Sequence, residues 1–363
     1  MDKENQILHL IKLNPFISQQ ELSSKVGLSR PAVANYIANL TRRGEIKGRG
    51  YILRENSTIL CIGGANIDRK ARTNQKVQLY SSNPVKITET CGGVARNFAE
   101  NLSRLGLSTS LMACVGEDKE GNWILNETKS KGVDVSQVWV FPTEQTGTFT
   151  TLLDINGESV VSMADMNIYE KLTTSMFEEK WSYINASTAV LLDTNIPQEC
   201  ISYIIKRCSD VNIPIYIDPV SSVKAQKLPF RLDGVELLVP NRKEAEILAD
   251  IKIDSINDCQ LACEKIKQRG VQNVIITLGD QGVYYSSAEE SGYLPPFKTE
   301  VVDVTGVGEA FASCLIYGIM NEESLVNACQ LGLAGAALTL QTEKSISSFL
   351  KPEKLHELIK EFS

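Results

Sequence analysis

The segment Asp303-Val-Thr-Gly306-Val307-Gly308-Glu309-Ala-Phe sets two glycines and a carboxylate at the opening of an apolar helical run. Glycine lets backbone approach an anion closely, the first N–H groups of a helix lack partners, and the helix dipole favours negative charge there. Such a turn can hold a phosphoryl group during transfer. A carboxylate at Glu309 beside it can take the proton of an attacking hydroxyl. The plainer alternative is a turn that serves packing, with Glu309 an ordinary acid in a first helical turn, worth about 0.3–1 kcal/mol. Other chemistries lack their parts. Two histidines, His9 and His356, and nine cysteines without a Cys-x-x-Cys pair supply neither a zinc set nor a Ser/His/Asp triad. Several cysteines sit inside apolar runs, as reduced core thiols do.

A phosphate turn needs a scaffold. From Ser57 on, the short apolar runs TILCIGG, TSLMACVG, AVLLD, PIYID, ELLVP and NVIITLG alternate with helical patterns such as residues 94–105. This rhythm predicts an α/β domain, with a mainly parallel sheet and helices on both faces. Ligands of such sheets bind at the carboxyl ends of the strands. Those ends carry Gly63-Gly-Ala-Asn66-Ile-Asp68, Asp193-Thr-Asn195, Asp218-Pro219, Asn241-Arg-Lys-Glu244 and Thr277-Leu-Gly279. Residues 69–90 and 146–165 break the rhythm, the second with an Asn-Gly turn, and predict a small antiparallel sheet over the site as a lid.

The first 54 residues differ in charge and pattern. They hold nine Lys/Arg against four Asp/Glu, net +5, whereas the remainder carries −12 of the total −7. A helix at 4–13, a capping box Ser18-Gln-Gln-Glu21, a turn at Gly27, and a helix capped by Ser29 with Pro31 in its first turn make a helix-turn-helix. Residues 45–53, with a Gly-Arg-Gly tip, predict a wing. On duplex DNA, Arg30, Asn35 and Tyr36 would face base edges, and Arg42, Arg43, Lys47 and Arg49 would meet phosphates. A docking or dimerisation module is the alternative. The expected domains are a winged helix at 1–54 and an α/β domain at 57–363.

From Thr58 almost to its end the chain resembles the ribokinase (pfkB) family of carbohydrate kinases. The motifs are Gly92-Gly93-Val-Ala-Arg-Asn97-Phe-Ala99 with Gly106 and Gly116 at the family spacing, Asn241-x-x-Glu244, and the 303–309 turn. Within the family the likeness is to pseudouridine kinases, carried by GGANID, GGVARNFAENLSRLG, Asp165-Met-Asn167, Asp218-Pro-Val-Ser221 with Lys224, and Pro240-Asn-Arg-Lys-Glu-Ala-Glu246. The resemblance implies a ribokinase-like fold with a β lid, ATP and Mg²⁺ as partners in catalysis, and phosphorylation of a nucleoside 5′-hydroxyl. It implies Glu309 as base, with the amides of Gly306, Val307 and Gly308 around the phosphoryl group. Asp68, Asn97 and the Gly92-Gly93 backbone would hold ribose; Asn66, Thr148, Asp165 and Asn167 would meet the uracil edge, with Lys224 nearby. Asn241 and Glu244 would order the metal. Thr277, Gly279 and Gly282 fall in the ATP stretch, and Asp303 with Thr305 matches the segment that supplies ligands to K⁺. One departure stands out: the family turn ends Gly-Ala-Gly-Asp, and this chain reads Gly306-Val307-Gly308-Glu309. A body that senses a nucleoside for a transcription regulator is the competing reading. The polar N-terminus and the lack of a long apolar run predict a cytoplasmic protein without a membrane segment, and a homodimer is expected.

Overall fold

The computed structural model describes residues 3–14, 17–42 and 58–362, and the chain divides into two units, Met1–Glu55 and Asn56–Ser363. In the first, helices α1 (Lys3–Leu13), α2 (Gln19–Val26) and α3 (Arg30–Arg42) bury Ile7, Leu22, Val26, Val33, Ile37 and Leu40 in one cluster. The Ser18 hydroxyl accepts from the Glu21 amide at 3.1 Å while the Glu21 carboxylate accepts from the Ser18 amide at 2.8 Å. That reciprocal pair starts α2, and Gly27, left-handed at φ 65°, ends it. Arg30 and Asn35 are exposed on α3, but the ring of Tyr36 packs against the cluster. Arg43, Lys47, Arg49 and the wing expected at 45–53 lie outside the described residues.

The second unit opens with β1 (Thr58–Ile62), β2 (Asn66–Arg72), β3 (Lys86–Gly92) and α4 (Val94–Arg104). Then come β4 (Ser108–Met112), β5 (Cys114–Gly116), α5 (Lys119–Ser130), β6 (Trp139–Phe141), β7 (Thr148–Leu153) and β8 (Ser159–Asp165). Helices α6 (Thr174–Glu179) and α7 (Trp181–Ala186) lead to the alternation of β9 (Ala189–Asp193), α8 (Gln198–Asp210), β10 (Ile215–Asp218), α9 (Ser222–Ala225) and β11 (Val235–Leu238). After α10 (Arg242–Ala249), α11 (Ile256–Lys267) and β12 (Asn273–Thr277), the pair β13 (Val283–Ser286) and β14 (Ser291–Leu294) precedes α12 (Val307–Met320), α13 (Leu325–Leu340) and α14 (Pro352–Phe362).

The large sheet runs β14-β13-β12-β11-β10-β9-β1-β4, parallel from β12 to β4 and antiparallel at its β13–β14 edge. Helices cover both faces, so its strands are apolar throughout: Val190, Leu192, Ile215 and Ile217 enter one core cluster, and Ala189, Leu191, Tyr216 and Leu237 the other. The sequence suggested one strand across TSLMACVG. Ala113 instead breaks it, and β5 leaves the large sheet to pair with β6. The expected lid is a separate sheet, β3-β2-β7-β8, but it is mixed and not wholly antiparallel: two antiparallel hairpins are joined by the parallel pair β2–β7, because β2 and β7 come from segments far apart in the chain. Thr146 anchors its second half, accepting from the Gly116 amide at 2.9 Å and donating its own amide and hydroxyl to Asp118 at 2.7 and 2.6 Å. All nine cysteines are buried and free, and among the described residues no helix is long and apolar enough to cross a membrane.

Leu40 is fully buried in the core of the first unit. Leu40→Ala should cost about 2–5 kcal/mol there. If domains at 1–54 and 57–363 have separate cores, calorimetry of the full chain will show one transition lowered and the other unmoved; both moving in step would contradict that division.

Candidate active site

Parallel pairing brings the carboxyl ends of β9 and β10 level, with Asp193 and Asp218 as register partners on strands about 4.8 Å apart. Both point to the face covered by α4 and α12. Asp193 is fully buried; its Oδ2 accepts from the Gly64 amide at 2.8 Å and the Ala95 amide at 2.9 Å, and its Oδ1 from the Asn195 amide at 2.8 Å. One carboxylate thus ties the loop after β1 to the start of α4. The Tyr169 hydroxyl, also buried, fixes the next residue, donating to the Ala65 carbonyl at 2.9 Å and accepting its amide at 2.8 Å. Sequence reading singled out Asp193 and Asp218 as polar strand ends, and Asp218 also as part of the family likeness, without giving either a role, and nothing in the pattern marked Tyr169.

The lid contributes through β2. Asn66 donates to Asp68 Oδ1 at 2.7 Å, and a Cβ at Gly92 would lie 2.1 Å from Asp68 Oδ2, so only glycine fits beneath that carboxylate. Burial chiefly, and the charge of Glu309 further, push the Asp68 carboxyl up to about 6 against the opposing Asn66 hydrogen bond. Asn97, on α4, donates to Glu309 Oε1 at 3.2 Å. Asn66, Asp68, Gly92, Asn97 and Glu309 therefore meet in one cleft. Thr148, Asp165 and Asn167 do not. Thr148 pairs with Ile67 and Asp165 with Thr148, and neighbours in register share a face, so both point away from the face of Asp68. Asp165 and Asn167 are exposed and bonded to each other at 3.3 Å.

The turn before α12 depends on Gly306, at φ 80°, whose Cβ would sit 1.9 Å from the Ser345 carbonyl oxygen. Val307 then begins the helix, and a Cβ at Gly308 would meet nothing within 4 Å. A cavity of about 230 Å³ opens there, lined by Asp218, Asn241, Glu244, Thr277, Gly308 and Glu309. Asn241 caps α10: its Oδ1 accepts from the Glu244 amide at 3.1 Å, and its amide donates to Glu244 Oε2 at 2.8 Å. The Thr277 amide donates to the Pro240 carbonyl at 2.9 Å, which keeps β12 beside that cap. Gly279 and Gly282 form the turn into β13, closed by the Leu278 amide on the Gly282 carbonyl at 2.8 Å. Lys224 donates to Asn195 Oδ1; burial lowers its pKa against the pull of Asp193.

Charge crowding dominates this cavity. Burial first, then the charges of Glu244 and Glu309, hold Asp218 well above the carboxylate range; burial raises Glu244, and burial with the Asp193 charge raises Glu309 over its bond from Asn97. Hard oxygen donors in mutual repulsion suit Mg²⁺. Among the described residues no three acidic, Cys or His groups form a set able to grip a metal directly. Asp303 and Thr305 do not fit a free monovalent cation, because Asp303 Oδ1 accepts from the Thr305 amide and hydroxyl and Oδ2 from Lys70 Nζ at 2.6 Å.

The sequence matches the profile of pfkB family carbohydrate kinases over residues 56–352 and that of winged helix-turn-helix DNA-binding domains over residues 2–47. It is 36% identical over 278 residues to the pseudouridine kinase of Escherichia coli, covering 75% of this chain and 88% of that one. Over 340 residues it is 31% identical to the uncharacterized sugar kinase YeiI of the same organism, 93% of each chain. A carbohydrate kinase from Agrobacterium tumefaciens superposes with a TM-score of 0.74 over 84% of this chain and 97% of its own, at 28% identity.

The raised carboxyls set a pH dependence. Asp68 moves from 3.8 to about 6, so across that window the folded chain holds a proton that the unfolded chain has released. Its contribution to stability is full below the window and is lost as pH rises through it. Asp218, Glu244 and Glu309 shift the same way. A divalent cation offsets the repulsion once the carboxyls ionise, so MgCl₂ should raise the melting temperature more at about pH 8 than at about pH 5.5. Equal shifts at fixed ionic strength, or a larger one in acid, would contradict this charge account.

Proposed function

The chain belongs to the pfkB family of carbohydrate kinases, phosphotransferases acting on a sugar or nucleoside hydroxyl, and from that premise we propose that it phosphorylates the 5′-hydroxyl of pseudouridine with ATP. The supporting observation is that Asp68 on the lid and Glu309 at the phosphate turn face one cleft, with Asn97 bonded to Glu309 at 3.2 Å. Asp68 and the Gly92-Gly93 backbone hold the ribose hydroxyls, and Asn66 offers its amide to the base. The 5′-hydroxyl then lies toward Glu309, whose carboxylate accepts the proton as the oxygen attacks the γ-phosphorus. A bond from the 5′-oxygen forms, the bond from the γ-phosphorus to the bridging β–γ oxygen breaks, and ADP departs. The amides of Gly306, Val307 and Gly308 donate to the equatorial phosphoryl oxygens, where negative charge gathers. ATP lies along Asn241 and Thr277, with Gly279 and Gly282 shaping the turn beyond. Mg²⁺, held through water by Asn241, Glu244 and Asp218, would neutralise phosphate charge.

Burial suits Glu309 to its task, because a base works best with a pKa raised toward the operating pH. With ATP and a panel of pseudouridine, uridine, ribose and adenosine, pseudouridine should give the highest kcat/KM. Equal or greater efficiency on free ribose would defeat the nucleoside assignment.

The match of residues 2–47 to a winged helix-turn-helix supports a second activity, binding of duplex DNA. Arg30 and Asn35, exposed on α3, read bases, and Arg42, Arg43, Lys47 and Arg49 meet phosphates. Each lost phosphate contact should flatten the log–log salt slope by about 0.9, so replacing Arg42 and Arg43 together should reduce it by about two. A slope indifferent to both would make this unit a docking module.

A further inference from the structure

Lys70 stands where the alternation of β2 puts it, on the same lid face as Asn66 and Asp68. Its ammonium reaches across to the loop before α12, 2.6 Å from Asp303 Oδ2 and 2.9 Å from Thr305 Oγ1, between residues 233 and 235 positions apart in the chain. The pair is only partly exposed, 29% for Lys70 and 24% for Asp303. Asp303 in turn accepts the Thr305 amide at 2.8 Å and the Thr305 hydroxyl at 2.6 Å, and Thr305 immediately precedes Gly306. A chain of charge-assisted bonds therefore runs from the lid to the residue that starts the phosphate turn. Both oxygens of Asp303 are engaged, and among the described residues the charge offered to them is the lysine's own. An ammonium group has the charge of K⁺ and presents donors to oxygen at comparable range, but it is fixed by a covalent stem.

We propose that Lys70 is a positioning residue, a cation tethered to the lid that fixes the 303–306 turn and makes a free monovalent cation unnecessary. The proposal rests on the reading of 306–309 as the phosphoryl-transfer turn. Because the charge is carried on β2, seating the lid and ordering the turn are one event. The residue acts through the loop and does not touch the reacting atoms.

The test measures initial rates of the full-length chain with Mg-ATP and pseudouridine in tetramethylammonium, sodium or potassium chloride at one ionic strength. Melting temperatures are recorded in the same salts without substrate. Wild type should vary less than about twofold among them, because screening is held constant. Lys70→Ala, which leaves room for an ion, should lose about 10²-fold in kcat in tetramethylammonium and regain about fivefold or more in potassium. Its melting temperature should rise in potassium alone. Lys70→Met, which fills the space without charge, should lose the same rate with no rescue, while Arg72→Met, on the same face, should behave as wild type. Wild-type turnover that requires potassium overturns the proposal, as does a Lys70→Ala chain that keeps its rate or that no cation restores. A wild type inactive on every acceptor would strike the proposed reaction instead, and the melting temperature of Lys70→Ala would still report whether an ion replaces the lysine.

Discussion

The carboxylate of Asp193 is the constraint from which the site is assembled. Buried at the end of a central strand, it accepts three backbone N–H groups, two of them from segments 129 and 98 residues away in sequence. A buried charge is tolerated only where hydrogen bonds replace water, and removing one partner of such a set typically costs about 1–3 kcal/mol or more. Here the compensation fixes the loop after β1, which leads directly into Asn66 and Asp68 on β2, and the first turn of α4, which carries Asn97. The placement of Asn66, Asp68 and Asn97 thus depends on satisfying one acid.

The same acid belongs to a wider crowding of negative charge. Asp218 lies beside it in register, and Glu244 and Glu309 face Asp218 across the cavity. Each group is raised by burial, and Asp218 and Glu309 are raised further by neighbours of like sign. This arrangement is unfavourable for folding alone. A divalent cation and a polyphosphate would offset it, the cation against the carboxylates and the phosphate against the N-terminal end of α12. On the lid side, Lys70 sets a positive charge against Asp303 in the loop before α12.

Much of this was legible from the sequence because it is local. The capping box at Ser18 follows from residues three apart, and the glycine turn at 306–308 from its place before an apolar helix; that Asn241 and Glu244, read as a family motif, also form a capping box is seen in the structure. The run AVLLD read as a buried strand because both of its faces are covered. What was not legible depends on register and on distance in sequence. Which lid face carries Thr148 and Asp165 is decided by pairing with Ile67, which no single-strand pattern encodes. The division of TSLMACVG at Ala113, the β13–β14 edge, the Tyr169 bond to Ala65 and the Lys70–Asp303 pair arise only once the chain is packed. The family's shorter acid is replaced by Glu309, and the structure supplies a reason that the longer one is accommodated: its carboxylate reaches Asn97 on α4.

The central claim is that Glu309 accepts the acceptor's proton, and one substitution tests it most directly. Glu309→Gln keeps the shape and the contact with Asn97 but removes the base, so kcat should fall by roughly 10²–10⁴ while the acceptor's KM changes little. Steady-state kinetics with Mg-ATP and pseudouridine, beside a melting curve to show that the variant is folded, give the answer. Turnover unchanged in Glu309→Gln would remove this residue from the chemistry and contradict the account.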